Sequence, residues 1–252
     1  MINIDWNGLK SDCSNLYCYA ISLRDGEIIR SRAYFHSEKF VESHPVNEIL
    51  DELVSSKLAR CFSYGKDKSS DYIKYDLHVY PADCFKAYEK LEKINFFDLS
   101  KIKLYRLITQ SNNFKFFNRT LGAKVSIENE LQNICVYFSN NDKLALDCCK
   151  KYINELCVEF GLQNGFCIPY SAKDCWLYIV ALDFSDTEFK LKFYIEFSKD
   201  FDNNQLLTSF ENTKNYGRVK EIAESNGKIL GYQIAVSDRE GISYNFYLDQ
   251  KK

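Results

Sequence analysis

The sequence predicts a fold of the α+β class: a ten-stranded antiparallel β-barrel ringed by α-helices, built from five repeated hairpin-plus-helix units. Three observations carry this expectation. Five pairs of alternating segments are each joined by a short connection. Stretches with helical periodicity fall between the pairs. The second strand of each pair repeats one layout, an apolar face opposite a polar or aromatic face. An open sheet with helices on one face and water on the other fits the same pattern. Closure is preferred because it removes exposed edges, and a barrel of this strand number is wide enough to keep a cavity.

The first pair is LYCYAISL (16–23) and EIIRSRAYFH (27–36), joined by Arg24-Asp25-Gly26, whose Asp-Gly step is a strong hairpin signal. A helix is expected from Pro45 to Val54, since proline is tolerated in a first turn. RCFSYGK (60–66) and DYIKYDLHVY (71–80) form the second pair, and Pro81 ends it for want of an N–H to give the ladder. Helical patterns follow from Ala82 to Ile94 and from Leu99 to Thr109. KVSIENE (124–130) and QNICVYF (132–138) make the third pair. The next helix is expected from Asp142 to Phe160, with Leu144, Cys148, Tyr152, Leu156 and Phe160 along its apolar side. Asn141 or Asp142 would cap it and Gly161 would stop it. WLYIVALDF (176–184) and EFKLKFYIEF (188–197) form the fourth pair, followed by helices over Asn204–Asn212 and Val219–Glu224. KILGYQIAV (228–236) and ISYNFYL (242–248) form the fifth. No Gly/Pro-rich linker interrupts the pattern, so residues 1–252 read as one domain.

Composition narrows the function classes. A net charge of −2 argues against a general nucleic-acid binder. No apolar run reaches the length of a membrane span, and MINIDWNGLK lacks the apolar region of a signal peptide, so a cytoplasmic chain without a membrane partner is expected. There the ten cysteines, none in a C-x-x-C pair, would be reduced and act as small hydrophobes. His36, His44 and His78 have no paired spacing, so no metal held by the chain itself is expected. The sequence also lacks a GxxxxGK[ST] loop, a GxGxxG turn after a strand and a DDxxD run.

The polar rows carry the chemistry. Arg30, Arg32, Tyr34 and His36 share one face of their strand. So do Lys74, Asp76, His78 and Tyr80; Asn133, Cys135 and Tyr137; Lys190, Lys192, Tyr194 and Glu196; and Ser243, Asn245 and Tyr247. In a closed barrel these rows meet in one chamber. So many cations cannot be buried unpaired, so an anion is expected among them. A diphosphate is the natural match, with arginine suited to bidentate contact and lysine acting as a point charge. Tyrosine rings beside it would stabilise a cation, as an ionising allylic diphosphate requires. A one-sided sheet with a solvated face, acting in protein–protein contact, is the plainer alternative.

At this point the residues resemble the ABBA (PT-barrel) prenyltransferases, and more narrowly the cyanobactin-type peptide prenyltransferases. DCSNLYCYAISLRDGEIIRSRAYF (12–35) looks like that family's first hairpin, with Arg32 matching its diphosphate-binding arginine. YGKDKSSDYIKYDLHVYP (64–81) resembles the second, with Lys74 matching the family lysine and His78 where a second cation is usual. KLKFYIEF (190–197) is similar to the later Lys/Tyr strands and points to Lys192 and Tyr194. The resemblance implies a prenyltransferase that moves a dimethylallyl or geranyl group from its diphosphate to a nucleophilic side chain of a ribosomal peptide natural product. A small aromatic acceptor is the alternative, and a non-enzymatic barrel binding an anionic amphiphile is another. Arg32, Lys74, His78 and Lys192 would hold the diphosphate, with Mg²⁺ bound through it. Tyr34, Tyr137, Tyr194 and Tyr247 would shield the carbocation. The family's first strand usually carries a glutamate, but here that position falls among Leu16, Tyr17 and Cys18. Asp76 and Glu196 are therefore the catalytic candidates, with Glu128 a further carboxylate to consider.

Overall fold

The computed structural model describes residues 16–42, 46–68, 71–102, 116–162, 165–168, 174–225 and 228–249. Its ten strands are β1 (Leu16–Arg24), β2 (Glu27–His36), β3 (Ala59–Asp67), β4 (Ile73–Val79), β5 (Phe116–Val125), β6 (Leu131–Ala145), β7 (Cys175–Phe184), β8 (Phe189–Phe197), β9 (Ile229–Ser237) and β10 (Gly241–Leu248). Each pairs antiparallel with its neighbours in sequence, and β1 pairs with β10, so the sheet closes into a barrel. The five hairpin connections gather at one end, the turn end. The longer, helix-bearing connections leave from the other, open end. At the first turn Asp25 and Gly26 both take positive φ, 51° and 86°, as the Asp-Gly signal required.

Strand alternation divides the barrel into two faces. The outward face is apolar. Ile21 and Leu23, Ala33 and Phe35, Tyr75 and Leu77, Val136 and Phe138, Leu191 and Phe193, and Tyr244 and Phe246 are all buried there. Helices cover this face: α1 (Glu48–Ser55), α2 (Cys84–Leu91), α3 (Leu146–Glu159), α4 (Asn203–Phe210) and α5 (Tyr216–Ser225). They bury Leu50 and Leu53, Tyr88 and Leu91, Ile153 and Leu156, Leu206 and Phe210, and Val219 and Ile222 against it. Each such side chain contributes roughly 1.5–3 kcal/mol relative to exposure. The main core is thus a shell between sheet and helices, which leaves the lumen free for polar groups. Two short helices start on side-chain caps: Asn47 accepts from the Ile49 N–H at 3.0 Å, and Asp202 from the Asn204 N–H at 2.9 Å.

Several element boundaries differ from those expected. The first strand of the third hairpin is Phe116–Val125, not 124–130, and residues 126–130 are its turn. Ser126 builds that turn by accepting from the Glu128 and Glu130 N–H groups, and Asn129 takes φ 67°. The following strand runs on to Ala145, so the helix starts at Leu146 rather than Asp142. Leu144 and Ala145 stay paired with Leu177 and Trp176 of β7, and that ladder overrides the local capping signal. A 3₁₀ turn over Pro81–Asp83 precedes α2, so that helix begins two residues after the expected Ala82. Pro45 and most of the expected helix from Leu99 to Thr109 lie outside the described residues. Among the described residues no helix is long and apolar enough to cross a membrane.

Candidate functional site

The lumen holds a cavity of about 470 Å³ toward the open end. At its heart, the second strand of each hairpin contributes one side chain: Tyr34 from β2, Lys74 from β4, Tyr137 from β6, Tyr194 from β8 and Tyr247 from β10. The rings run in sequence around the wall. Centroids lie 6.3 Å apart for Tyr34–Tyr247, 5.6 Å for Tyr247–Tyr194 and 5.9 Å for Tyr194–Tyr137. The Lys74 ammonium closes the circle, 5.1 Å from the Tyr137 centroid and 5.4 Å from that of Tyr34. Ring faces carry negative quadrupole potential, so this is a wall that already stabilises a positive charge.

Small residues on the first strands make room for the rings. A Cβ at Gly122 would lie 2.8 Å from Tyr137, and one at Gly65 would lie 3.0 Å from Tyr34. Ala20 pairs with Tyr247 in the ladder, and Ala181 with Tyr137. Burial pushes the Tyr137, Tyr194 and Tyr247 hydroxyls well above the ordinary phenol range, so they remain neutral.

The floor of the cavity carries one ion pair. Lys74 Nζ donates to Asp76 Oδ1 at 2.6 Å, and the Ser63 hydroxyl donates to Asp76 Oδ2 at 3.1 Å. Burial alone would lower the Lys74 pKa, but the Asp76 carboxylate together with Tyr34 outweighs it and keeps the group charged. His78 stands nearer the mouth, stacked on Phe62 at 4.0 Å, and His36 is stacked on Tyr17 at 4.4 Å. Glu196 is exposed at the rim and accepts from the Trp176 indole N–H at 2.8 Å.

Of the residues expected to hold a diphosphate, Lys74 and His78 line this cavity, while Arg32 and Lys192 do not. Both lie toward the turn end with their own counter-ions. Asp67 accepts from Arg32 through both carboxylate oxygens, one of these contacts being 2.9 Å from Nη2, and Asp183 pairs with Lys192. In each case burial would lower the cation's pKa. The adjoining groups, Tyr34 and Asp67 for Arg32 and chiefly Asp183 for Lys192, raise it again. The expectation of several buried cations lacking partners is therefore corrected: Asp67, Asp76 and Asp183 supply chain-borne anions. Asp67 and Asp183 lie at the ends of their strands, and their pairing depends on register between strands, which the sequence does not display, whereas Asp76 pairs with Lys74 along one strand. Arg30 also lies toward the turn end, half-exposed, and Lys190 pairs there with Glu188 and Glu240. Glu128 is exposed in the β5–β6 turn, at the opposite end from the cavity mouth.

Sequence reading also missed Tyr17, Cys18, Thr120 and Tyr178, which line the cavity from first strands. Burial and the nearby Asp76 push the Cys18 thiol up to about 12, so it is no thiolate nucleophile. Gln233 was missed too. Its Oε1 accepts from Asn245 and from the Tyr247 hydroxyl, both at 3.1 Å, while its buried Nε2 has no hydrogen-bond partner. Polar β9 residues sit within an apolar run, so only the pairing with β10 identifies this one as a lumen donor. Among the described residues no group of three or more His, Cys, Asp or Glu side chains could hold a metal ion.

No protein-family model matches the sequence, and no curated protein matches it. Solved structures do match the fold. AnaPT from Neosartorya fischeri superposes with a TM-score of 0.60 at 10% identity, covering 96% of this chain and 79% of that one. 5-Dimethylallyltryptophan synthase from Streptomyces coelicolor gives 0.52 at 14% identity, covering 92% and 80%; a second structure of that synthase is a complex with DMASPP and Trp. NotF prenyltransferase gives 0.53 at 12% identity, covering 92% and 80%, and a further NotF structure holds brevianamide F and DMSPP. At these identities the likeness establishes the architecture: this chain has the ten-stranded barrel of the ABBA prenyltransferases.

Proposed function

We propose that this chain is a prenyltransferase that moves a short isoprenoid from its diphosphate to a small aromatic acceptor. The observation that carries the reading is the Lys74 ammonium set between the Tyr34 and Tyr137 ring faces on the floor of an aromatic cavity. The DMASPP and DMSPP held by two barrels with this fold support it, as do Trp and brevianamide F in the same complexes.

In this reading Lys74 binds the diphosphate, with the Gln233 amide and His78 as further donors. The C1–O bond breaks and the diphosphate leaves with both electrons, its charge met by Lys74. The allyl cation is held by the faces of Tyr34, Tyr137, Tyr194 and Tyr247, which exclude water. A ring carbon of the acceptor attacks C1, and Asp76 takes the proton that the ring then loses. Glu196 at the rim orients the acceptor. Arg32 and Lys192, each paired with its own carboxylate, close the lumen beneath the floor. Mg²⁺ would be bound through the diphosphate oxygens, since among the described residues no group of His, Cys, Asp or Glu side chains would hold it alone. The whole chain, residues 1–252, acts as one unit.

Lys74→Ala is expected to abolish transfer from dimethylallyl diphosphate to tryptophan-like acceptors while leaving the circular dichroism spectrum unchanged. Normal turnover in that variant would remove the diphosphate role. A ribosomal peptide acceptor is the second reading. What favours it is a polar cleft lined by His36, Glu38, Arg60 and His78 that shares Phe62 and His78 with the cavity. Mass spectrometry of free indoles and indole-bearing peptides incubated together with enzyme and donor separates the two by which pool gains mass.

A further inference from the structure

Regular alternation turns only one of two successive strand residues into a barrel. At the open end of this barrel both Tyr17 and Cys18, both Tyr178 and Ile179, and both Leu230 and Gly231 line the cavity. The register accounts for it. Every hairpin carries one extra residue on its first strand, at the same step toward the open end. Tyr17 falls between the pairs Leu16–Phe35 and Cys18–Tyr34, and Phe62 between Cys61–Leu77 and Ser63–Asp76. Arg119, Tyr178 and Leu230 take the same place in the third, fourth and fifth hairpins. Bulges of this kind re-aim side chains at the rims of barrels.

Tyr17, Phe62, Tyr178 and Leu230 thereby form an apolar collar just above the circle of rings. Tyr17 continues that circle, its centroid 5.9 Å from that of Tyr34. The collar has two unlike halves. On the β1–β3 side Tyr17 and Phe62 are each stacked against an imidazole, of His36 and His78. On the β7–β9 side Tyr178 is 43% exposed and Leu230 half-buried, with Glu196 on the strand between them. Each bulge leaves a residue outside the ladder, and at Tyr178 little burial of the side chain offsets that loss. Apolar surface kept open at the mouth of a cavity marks a place where a ligand is recognised. A ring reacting beside Lys74 occupies the lower circle, so the collar is free for whatever is attached to that ring.

We propose that Tyr178 and Leu230 form an outer acceptor subsite, which selects a two-part acceptor: a reacting aromatic ring extended by an apolar group. The assignment rests on the cavity receiving an aromatic acceptor, as the prenyl-transfer reading has it. The test is titration calorimetry of the full chain with tryptophan, tryptophyl-leucine and tryptophyl-serine. Wild type is expected to bind tryptophyl-leucine about tenfold more tightly than tryptophyl-serine, the low end of what an added apolar group commands in a pocket. Tyr178→Ser/Leu230→Ser is expected to lose that preference and Tyr178→Phe to keep it. Tyr178→Ser alone gives the same comparison if the double variant does not fold. Equal binding of the two dipeptides by wild type, tryptophan bound as tightly as tryptophyl-leucine, a preference that survives in the double variant, or no binding of any of the three would each overturn the proposal. Prenyl transfer from dimethylallyl diphosphate is measured on the same mixtures. The dipeptide preference without any transfer would overturn the prenyl-transfer reading and leave the subsite standing, while transfer without the preference would overturn the subsite alone.

Discussion

Asp67 decides whether Arg32 can sit inside the barrel as a charge. The guanidinium is buried and its fork is met by the carboxylate. Removing one partner of such a pair strands the other and costs about 3–5 kcal/mol. Asp67→Ala is expected to lower urea-unfolding stability by that amount, and Asp67→Ala/Arg32→Met to recover most of it. The pair also sets an acid limit. Burial would raise the Asp67 pKa, but Arg32 more than reverses this, so the folded value lies below the ordinary 3.8. A carboxyl lowered on folding stabilises fully above its unfolded pKa and loses that contribution as pH falls through the folded one. The stability gap between wild type and Asp67→Ala should therefore close as pH drops below 3.8, measured by thermal unfolding. At this scale the sequence was legible for single residues and silent for pairs. Lys74, His78 and the tyrosines could be placed on a lumen row by alternation. That Arg32 and Lys192 were already neutralised could not, because their carboxylates lie on other strands.

The elements were readable wherever both faces of a strand showed their character. β4 and β8 alternate cleanly, and the sequence placed them within two residues. β5 defeated the reading because FFNRTLGAKV mixes polar and apolar residues without period and contains a glycine. That glycine has a structural purpose. Gly122 faces Tyr137 and Asp76, and a methyl group there would stand 2.8 Å from the ring and 3.1 Å from the carboxylate. Gly122→Ala is expected to displace the Tyr137 ring and lower kcat for prenyl transfer at least tenfold. Stability should fall by only about 1–3 kcal/mol, the usual cost of overpacking. Paired kcat and urea measurements check this. A kcat equal to wild type would show that the position of the Tyr137 ring is immaterial to the reaction.

Across the whole molecule, five repeats impose a rhythm on the lumen. At the level of the ring circle second strands carry large groups, Tyr34, Lys74, Tyr137, Tyr194 and Tyr247, while first strands carry small ones there, among them Ala20, Gly65, Gly122 and Ala181. Alternating large and small residues around a barrel is how its interior fits together. Here the same alternation leaves one hollow, toward the open end, with ion pairs filling the turn end. In the proposed reaction the closed end would stop the diphosphate, and the rings would set how long a prenyl chain can extend from it. Removing one ring should lengthen the accepted donor. Tyr247 is the ring to choose, because it contacts two others in the circle and its hydroxyl is tied to Gln233, so ring and hydroxyl can be removed separately. Dimethylallyl diphosphate is the expected donor of the native chain. Tyr247→Ala is expected to raise the kcat/KM ratio of geranyl to dimethylallyl diphosphate at least tenfold, within the roughly 10–200-fold that one methylene commands in an apolar pocket. Tyr247→Phe keeps the ring and loses only the hydrogen bond to Gln233, so it should leave the ratio near that of wild type. A ratio that shifts equally in both variants would assign chain-length control to the hydroxyl and its amide partner rather than to the wall of rings.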